Sequence, residues 1–166
     1  SNPGNGTPQH LAEELFNRMA GVNIAHIVYK GGGPALQDLV AGTTQAAVLT
    51  MGSAKPFVQG GKLRVLAVAT AKRSLTMPEV PTIAETGLAG YEADLWYGIM
   101  APAGTPREVV AKLHAEIAKA WRAPALQKRF GDRGIELAAS ASPEEYSAYI
   151  RNEVARYARL AREANI

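Results

Sequence analysis

Residues 24–40 read IAHIVYKGGGPALQDLV, and this stretch indicates the fold class. Its first part, residues 24–29, is short, apolar and rich in β-branched side chains, which is typical of a buried strand. Three glycines and a proline follow as a loop. Leu36, Leu39 and Val40 then share one face of a helix that ends near Gly42. The stretch therefore predicts one strand–loop–helix unit.

The neighbouring sequence repeats this unit. A helix is predicted over residues 8–20, where Thr7 and Pro8 form a typical helix start. Residues 46–51 and 63–70 are two more apolar strands, with a short helix over 54–59 between them. Alternating strands and helices favour the α/β class, so we expect a mostly parallel sheet with helices on both faces.

The second half of the chain continues with capped helices. After an extended connection over 71–81, Thr82 and Glu85 form a capping box that starts a helical turn ending at Gly87. Thr105 with Glu108 and Ser142 with Glu145 repeat the box. The pattern predicts the following elements: a strand over 91–102, helices over 106–121 and 124–133, a brief strand over 134–137, and a last helix over 143–164.

Composition excludes several classes of protein. The chain has 166 residues, a formal charge of +3 and 47% hydrophobic residues, which fits an ordinary globular domain and not a disordered one. It lacks cysteine, so disulfides, thiolate metal sites and a cysteine nucleophile are excluded. No apolar run approaches the roughly 18 to 20 residues of a membrane-spanning helix. The arginines between Arg151 and Arg162 are typical of a solvated helix face, so we predict no nucleic-acid partner.

No catalytic or metal-binding pattern is evident. His10, His26 and His114 lack the spacing of three or four residues that places two metal ligands on one helix face, and we expect each to be structural. The sequence contains no Gly-x-Ser-x-Gly motif, and its acidic residues are scattered, so they suggest no pair of carboxylates for acid–base work. We therefore predict a protein that is not an enzyme and needs neither metal nor cofactor.

Glycine-rich loops at helix starts are the informative feature. They are residues 4–7, 29–33 and 50–53. A helix N-terminus offers unpaired amides and partial positive charge, and glycine lets a ligand approach the backbone. If the strands are parallel, all three loops open at one edge of the sheet, where they would suit a carboxylate. For each loop alone, a tight turn with an ordinary cap is the alternative. Phosphate-loop motifs are absent.

Trp96 and Tyr97 form the most aromatic part of the predicted strand over 91–102. Aromatic side chains in a strand more often pack in a core, and we favour that role. Lining a ligand cleft together with Asp94 and Gly98 is the alternative.

A series of motifs closely resembles the extracytoplasmic solute receptors of the tripartite tricarboxylate transporter system, also called the Bug family. The motifs occur in family order across the chain. They are residues 1–11 (SNPGNGTPQHL), 26–39 (HIVYKGGGPALQDL), 61–68 (GKLRVLAV), 71–74 (AKRS), 78–82 (PEVPT), 96–98 (WYG) and 101–106 (APAGTP). The resemblance implies a two-lobed periplasmic binding protein of type II that closes on a small carboxylate and delivers it to membrane permease subunits, without catalysis.

The resemblance also implies the ligand-binding residues. Asn5, Gly6 and Thr7 would supply amide and hydroxyl donors at a helix start, in a wall that includes Ser1 and Gly4. The neighbouring loop would contribute Tyr29, Lys30 and Gly31, and Ser53 would belong to the third loop. Family sequences commonly have an aspartate where this chain has the uncharged Thr50, so the resemblance leaves the ligand's identity open.

Family receptors have a signal peptide and most of a first lobe before the equivalent of Ser1. We therefore expect residues 1–166 to form a single α/β domain equivalent to the second lobe plus the C-terminal helices, without the first lobe and the signal peptide of an exported parent. Helices that would cover the first lobe should expose apolar surface, so we predict dimerisation or an exchanged helix.

Two other functions stay open at this point. One is a small α/β enzyme that acts on a phosphorylated or carboxylated metabolite at the glycine loops, with Lys30 or His10 as its acid–base residue. The other is a regulatory effector domain, although the chain contains no DNA-reading helix.

Overall fold

The structure is a computed structural model that describes residues 1–164. Helices predominate over this range. They are α1 (Pro8–Ala20), α2 (Gly32–Val40), α3 (Met51–Gln59), α4 (Arg107–Trp121), α5 (Pro124–Gly131) and α6 (Pro143–Ala164). Helices α1 and α6 have the predicted bounds, α4 begins one residue later than predicted, α3 begins three residues earlier, and α5 ends at Gly131 instead of residue 133. None of the described helices combines the length and apolar character needed to cross a bilayer.

Helix α1 begins and ends as its sequence predicts. The Thr7 hydroxyl accepts a hydrogen bond from the His10 amide at 3.3 Å, and Pro8 occupies the first turn. At the other end Gly21 adopts the left-handed conformation with φ 65°, and its amide donates to carbonyls of the last turn. Between these caps the helix buries His10, Leu11 and Ala12.

The predicted sheet is not confirmed. Within residues 1–164 the segments predicted as strands form no hydrogen-bonded ladder, and only two isolated bridges occur, Asn2 with Val28 and Val68 with Thr82. A strand needs a continuous series of backbone hydrogen bonds along its length, and the pairing at each bridge ends after two or three of them. Both bridges are parallel, which is the orientation that the alternation of elements predicts.

The predicted helical turn over 82–87 is an isolated turn and not a helix. Its capping box is nevertheless formed, because the Thr82 amide donates to Glu85 Oε2 at 2.7 Å and the Glu85 amide donates to Thr82 Oγ1 at 3.1 Å. The Arg73 guanidinium also pairs with the Glu85 carboxylate at 2.9 Å. The backbone hydrogen bond to Thr82 and the interaction with Arg73 together lower the pKa of Glu85.

The chain divides into two compact units. Unit 1 comprises residues 1–95 and 160–164, and its core lies between α1 and Tyr91. The Tyr91 side chain is 1% exposed, its hydroxyl donates to the Ala12 carbonyl at 2.9 Å, and its ring meets Phe16 edge to face. Burying such a large ring against the helix fixes the segment around residue 91.

Unit 2 comprises residues 96–159. Its centre is Trp96, whose ring meets Tyr146 and Tyr149 edge to face and whose indole nitrogen donates to Glu153 at 3.2 Å. Arg156 pairs with the same carboxylate at 2.9 Å. These contacts fasten the extended segment that begins at Trp96 to one face of α6.

Candidate functional site

The segments that precede α1 and α2 are paired. The Asn2 amide donates to the Ile27 carbonyl and the Tyr29 amide donates to the Asn2 carbonyl, both at 3.1 Å, while the Gly31 amide donates to the Pro3 carbonyl at 2.8 Å. Because the pairing is parallel, the two segments enter their loops in the same direction. The pairing therefore brings loops 4–7 and 29–31 together.

The segment before α3 lies next to the start of the chain. The Ser1 nitrogen donates to the Ala46 carbonyl at 2.7 Å, and the hydroxyls of Ser1 and Thr44 are 3.3 Å apart. Ser1 therefore joins two segments through its backbone and hydroxyl, in a half-buried position.

Loop 4–7 satisfies most of its own polar groups. The Gly4 amide donates to Asn2 Oδ1 at 3.2 Å, the Thr7 hydroxyl donates to the Gly4 carbonyl at 2.7 Å, and the Gly6 amide donates to His10 Nδ1 at 3.1 Å. Gly6 has φ 70°, a conformation that side chains rarely adopt. Asn5 is exposed at the tip of the loop.

Loop 29–31 is held from both sides. Its Tyr29 hydroxyl donates to Asp38 of α2 at 2.6 Å, and this hydrogen bond raises the pKa of Tyr29. The Tyr29 side chain is therefore directed towards α2. Gly31, with φ 113°, is the N-cap of α2. It has no side chain that could accept hydrogen bonds from the first amides of the helix. Lys30, between Tyr29 and Gly31, is exposed.

The third loop makes contacts within itself. The hydroxyls of Thr50 and Ser53 lie 3.0 Å apart, and Ser53 Oγ also donates to the Thr50 carbonyl at 2.8 Å. Ser53 is half-buried at the start of α3. No hydrogen bond in the described structure connects Ser53 with the other two loops, so its place in the site stays a prediction.

A cluster of His10, Glu13, Glu14 and His26, which we call the histidine cluster, adjoins both loops. His10 and His26 have ring centroids 5.2 Å apart, and each lies close to Glu14. Sequence spacing could not reveal this pair, because His26 reaches α1 from a separate extended segment. The signal that could have found it is the parallel pairing of the two loops, which places residue 26 beside the first helix.

The histidine cluster has the spacing of a metal site, but its histidine ring nitrogens have no free lone pairs to donate to a metal. His10, Glu14 and His26 each present one ligand atom, all within 4.8 Å of one another. However, His10 Nδ1 accepts from the Gly6 amide, so the proton of neutral His10 is on Nε2, the atom that would bind the metal. His26 Nε2 already has neighbours in Asn17 and Glu14. The observed contacts suit proton sharing better than metal binding.

Outside the loops, the sequence predicts core roles for Trp96 and Tyr97 and a structural role for His114. Trp96 packs within unit 2 against α6, which agrees with the favoured core role, whereas Tyr97 is 79% exposed. His114 is half-buried and lies 3.0 Å from the Ser140 carbonyl. It therefore has a structural contact within unit 2.

Comparison with known proteins gives a consistent result. The sequence profile of the family described as "Tripartite tricarboxylate transporter family receptor" matches residues 1–166. A Pseudomonas protein (strain P51), "UPF0065 protein in tcbD-tcbE intergenic region", is 40% identical over 95% of this chain and 47% of its own length. "Protein BugT" of Bordetella pertussis is 35% identical over 95% of this chain and 48% of its own length. The chain thus spans about half the length of these relatives.

Solved structures agree on the fold. The structure titled "R. palustris Rpa4515 with adipate" has a TM-score of 0.83 and 36% identity, over 97% of this chain and 54% of that one. "MatC (Rpa3494) from Rhodopseudomonas palustris with bound malate" has a TM-score of 0.76 and 29% identity, over 96% and 55%. The periplasmic binding protein BugD has a TM-score of 0.77 and 31% identity, over 99% and 56%. From the profile match and these likenesses, the chain belongs to the receptor family of the tripartite tricarboxylate transporters.

Proposed function

We propose that this chain is the ligand-binding lobe of a periplasmic solute receptor that captures a small carboxylate for a tripartite tricarboxylate transporter. The observation that carries the proposal is the pairing of residues 2–3 with residues 27–31, which joins the segments that lead through the two glycine loops into α1 and α2. Helix N-termini favour an anion through their amides and partial positive charge. The related structures with adipate and malate support a carboxylate as that anion.

The hydrogen bonds divide the predicted site residues into two groups. Gly4, Gly6 and the hydroxyls of Thr7 and Tyr29 have partners within their loops or helices, so their role is to shape the site. Asn5 and Lys30 are exposed and provide donors and a positive charge. The first amides of α2, which begins after Gly31, complete the proposed cradle.

Ser1 and Ser53 have supporting roles in this proposal. Ser1 connects the first segment with the one before α3, and Ser53 stabilises the start of α3 through Thr50. The third loop supplies neutral hydroxyls at Thr50 and Ser53. A receptor with such a loop has no acidic group there to pair with an amine, so we propose a carboxylate without an amino group as the ligand.

The remaining parts of the proposal concern location and partners. The related BugD is titled a periplasmic binding protein, so we propose that the parent protein is exported to the periplasm. Its partners would be the permease subunits of the transporter, and its role would be capture without catalysis. We propose that the chain corresponds to the second lobe and C-terminal helices of a two-lobed receptor of type II, built on a parallel sheet.

We also propose that the chain self-associates through apolar side chains of its extended segments. Ile24 is 53% exposed and Leu66 is 65% exposed, although both lie in segments that the sequence predicts to be buried strands. Large apolar side chains exposed in this way favour association with a second copy.

Amide NMR mapping with adipate tests the binding proposal. A single lobe should bind weakly, and chemical-shift mapping at millimolar ligand detects weak binding. We expect adipate to shift the amides of Asn5, Lys30 and Gly32, while the uncharged adipamide leaves them in place. Lys30→Gln should weaken the effect, and Lys62→Gln, which removes an exposed charge from another loop, should not. Unchanged amides in both loops, or equal shifts with adipamide, would contradict the proposal.

A further inference from the structure

The histidine cluster connects both proposed ligand loops to α1. His26 precedes Tyr29 by three residues in the extended segment that leads into loop 29–31. His10 Nδ1 accepts from the Gly6 amide of loop 4–7. Glu13 and Glu14 of α1 lie against the ring nitrogens of His26 at 2.8 Å and 2.9 Å. A change of charge in this cluster therefore acts at the base of both loops.

Glu13 fixes one side of the His26 ring. Its carboxylate accepts from Asn2 Nδ2 at 2.9 Å and from the Val48 amide at 3.4 Å, and it lies 2.8 Å from His26 Nδ1. Burial acts to raise the pKa of Glu13, but the hydrogen bonds from Asn2 and His26 outweigh it and the pKa is lowered. Glu13 thus stays ionised at neutral pH and keeps a proton on His26 Nδ1.

The other ring nitrogen, His26 Nε2, has two alternative partners. Glu14 Oε1 lies 2.9 Å away, and a carboxylate there requires a proton on Nε2. Asn17 Nδ2 lies 3.1 Å away, and an amide there requires a lone pair on Nε2. The Asn17 amide is oriented by Ile24, which accepts from Nδ2 at 3.1 Å and donates to Oδ1 at 3.3 Å. The protonated ring pairs with Glu14, and the neutral ring pairs with Asn17.

Glu14 also has a second partner when His26 releases it. The neutral His10 ring has its proton on Nε2, since its Nδ1 accepts from the Gly6 amide. His10 Nε2 lies 3.9 Å from Glu14 Oε1, longer than a hydrogen bond but within reach of a small rotation of the side chain. The cluster is therefore built for two arrangements that differ by one proton.

We propose that protonation of His26 regulates the carboxylate site, with Glu14 exchanging between His26 in the protonated form and His10 in the neutral form. This inference rests on the proposed function, because the regulated property is carboxylate affinity. The titratable groups that the described residues place against His26 are Glu13, Glu14 and His10, all on α1. The Ser1 nitrogen approaches the cluster at 3.4 Å from Glu13.

The direction of the pH effect on carboxylate affinity follows from the charge on His26. Protonated His26 adds a positive charge at the base of the loops that receive an anion, so carboxylate binding and protonation favour each other. Carboxylate affinity should therefore fall as pH rises and His26 releases its proton. For a unit charge screened by a mixed protein and water environment, we expect the affinity to weaken by a factor of about three to five.

Adipate titration at one mildly acidic and one mildly basic pH, about 6 and about 8, tests the proposal. The wild-type chain, His26→Gln and Glu14→Gln are compared, with His114→Gln of unit 2 as the control. Wild type and His114→Gln should lose about three- to fivefold affinity at the higher pH. His26→Gln should lose none, and Glu14→Gln, in which the protonated ring lacks its partner, should lose less than the wild type. Ionisation of adipate is common to all four proteins and cancels in the comparison. An equal loss in all four would overturn the proposal.

A second readout needs no ligand and separates this inference from the proposed function. The side-chain amide of Asn17 should change its NMR shift with pH in the wild type, as it gains His26 Nε2 as an acceptor, and stay constant in His26→Gln. A constant Asn17 signal in the wild type would overturn the switch, whatever adipate does. A titrating Asn17 signal without adipate binding at either pH would support the switch in the protein and refute the carboxylate function.

Discussion

At the scale of single residues, packing against Tyr146 requires a glycine at position 98. The Tyr146 hydroxyl stands where the Cβ of any other residue would be, so a side chain at position 98 must displace α6 locally. We predict that Gly98→Ala lowers the free energy of unfolding by about 1–3 kcal/mol, the usual cost of overpacking. Denaturant unfolding measures the change.

The partner of this clash provides the control. Tyr146 Oη is buried and has no hydrogen-bond partner among the described residues, so Tyr146→Phe removes an unsatisfied polar group and should leave stability unchanged or raise it by about 1 kcal/mol. The double variant Gly98→Ala with Tyr146→Phe should recover part of the loss. A Gly98→Ala variant as stable as the wild type would contradict the close packing of Tyr146 against Gly98.

The lowered pKa of Glu13 should make the stability of the chain depend on pH. Its pKa in the folded chain is lowered, so the unfolded chain binds more protons in acid. The stabilisation is therefore complete above the unfolded pKa of about 4.3 and is lost as pH falls through the lower, folded value. Glu13→Gln should be less stable than the wild type at neutral pH, and the difference should shrink in acid. Unfolding curves that stay equally far apart at both pH values would refute this role.

At the scale of elements, two similar sequence signals have different outcomes. Thr7 caps α1 through the His10 amide, as predicted. Thr105 was expected to cap α4 in the same way, but the structure corrects this: Pro106 is the N-cap, and the Thr105 hydroxyl donates to the Pro102 carbonyl at 2.8 Å. Helix α1 begins at its proline, whereas α4 begins one residue after Pro106, so Thr105 lies one position before the N-cap.

This contrast gives a paired prediction. Thr7→Ala should lower the free energy of unfolding by about 1 kcal/mol, because α1 loses a capping hydrogen bond. Thr105→Ala should cost less, since α4 has no side-chain cap to lose. Thermal unfolding of both variants measures the difference, and an equal loss at the two positions would contradict the assignment of the caps.

Periodicity and caps predicted the helices well because both are local properties. The bounds of α1 and α6 follow from Thr7, Gly21 and Ser142, each within a few residues of its helix. The strands were less predictable because pairing depends on distant residues. An apolar run such as residues 63–70 specifies an extended backbone, but only its neighbour decides whether a ladder forms.

The same limit applies to the candidate site. Glycine loops at helix starts indicated where amides would be exposed, and the parallel pairing near Asn2 placed two of these loops together. The internal partners of Gly6, Thr7 and Tyr29 could not be predicted, since each depends on a side chain or carbonyl whose position follows from the fold. Neither could the meeting of His10 and His26, which lie in different elements.

At the scale of the whole molecule, exposed apolar segments predict self-association. Ile24 and Leu66 in unit 1 and Ile99 in unit 2 are each more than half exposed. Sedimentation over a range of concentrations should show a mass above the 17.6 kDa of one chain as concentration rises. Leu66→Glu should reduce the association. A single species of one chain's mass at high concentration would refute the prediction.

In the proposed site, backbone amides from two paired glycine loops hold a carboxylate. A crystal structure of the chain with adipate tests this claim most directly. We predict a carboxylate group within hydrogen-bonding distance of the amides of Asn5, Lys30 or Gly32, with loops 4–7 and 29–31 side by side. Adipate bound elsewhere on the chain, or the two loops separated from each other, would contradict it.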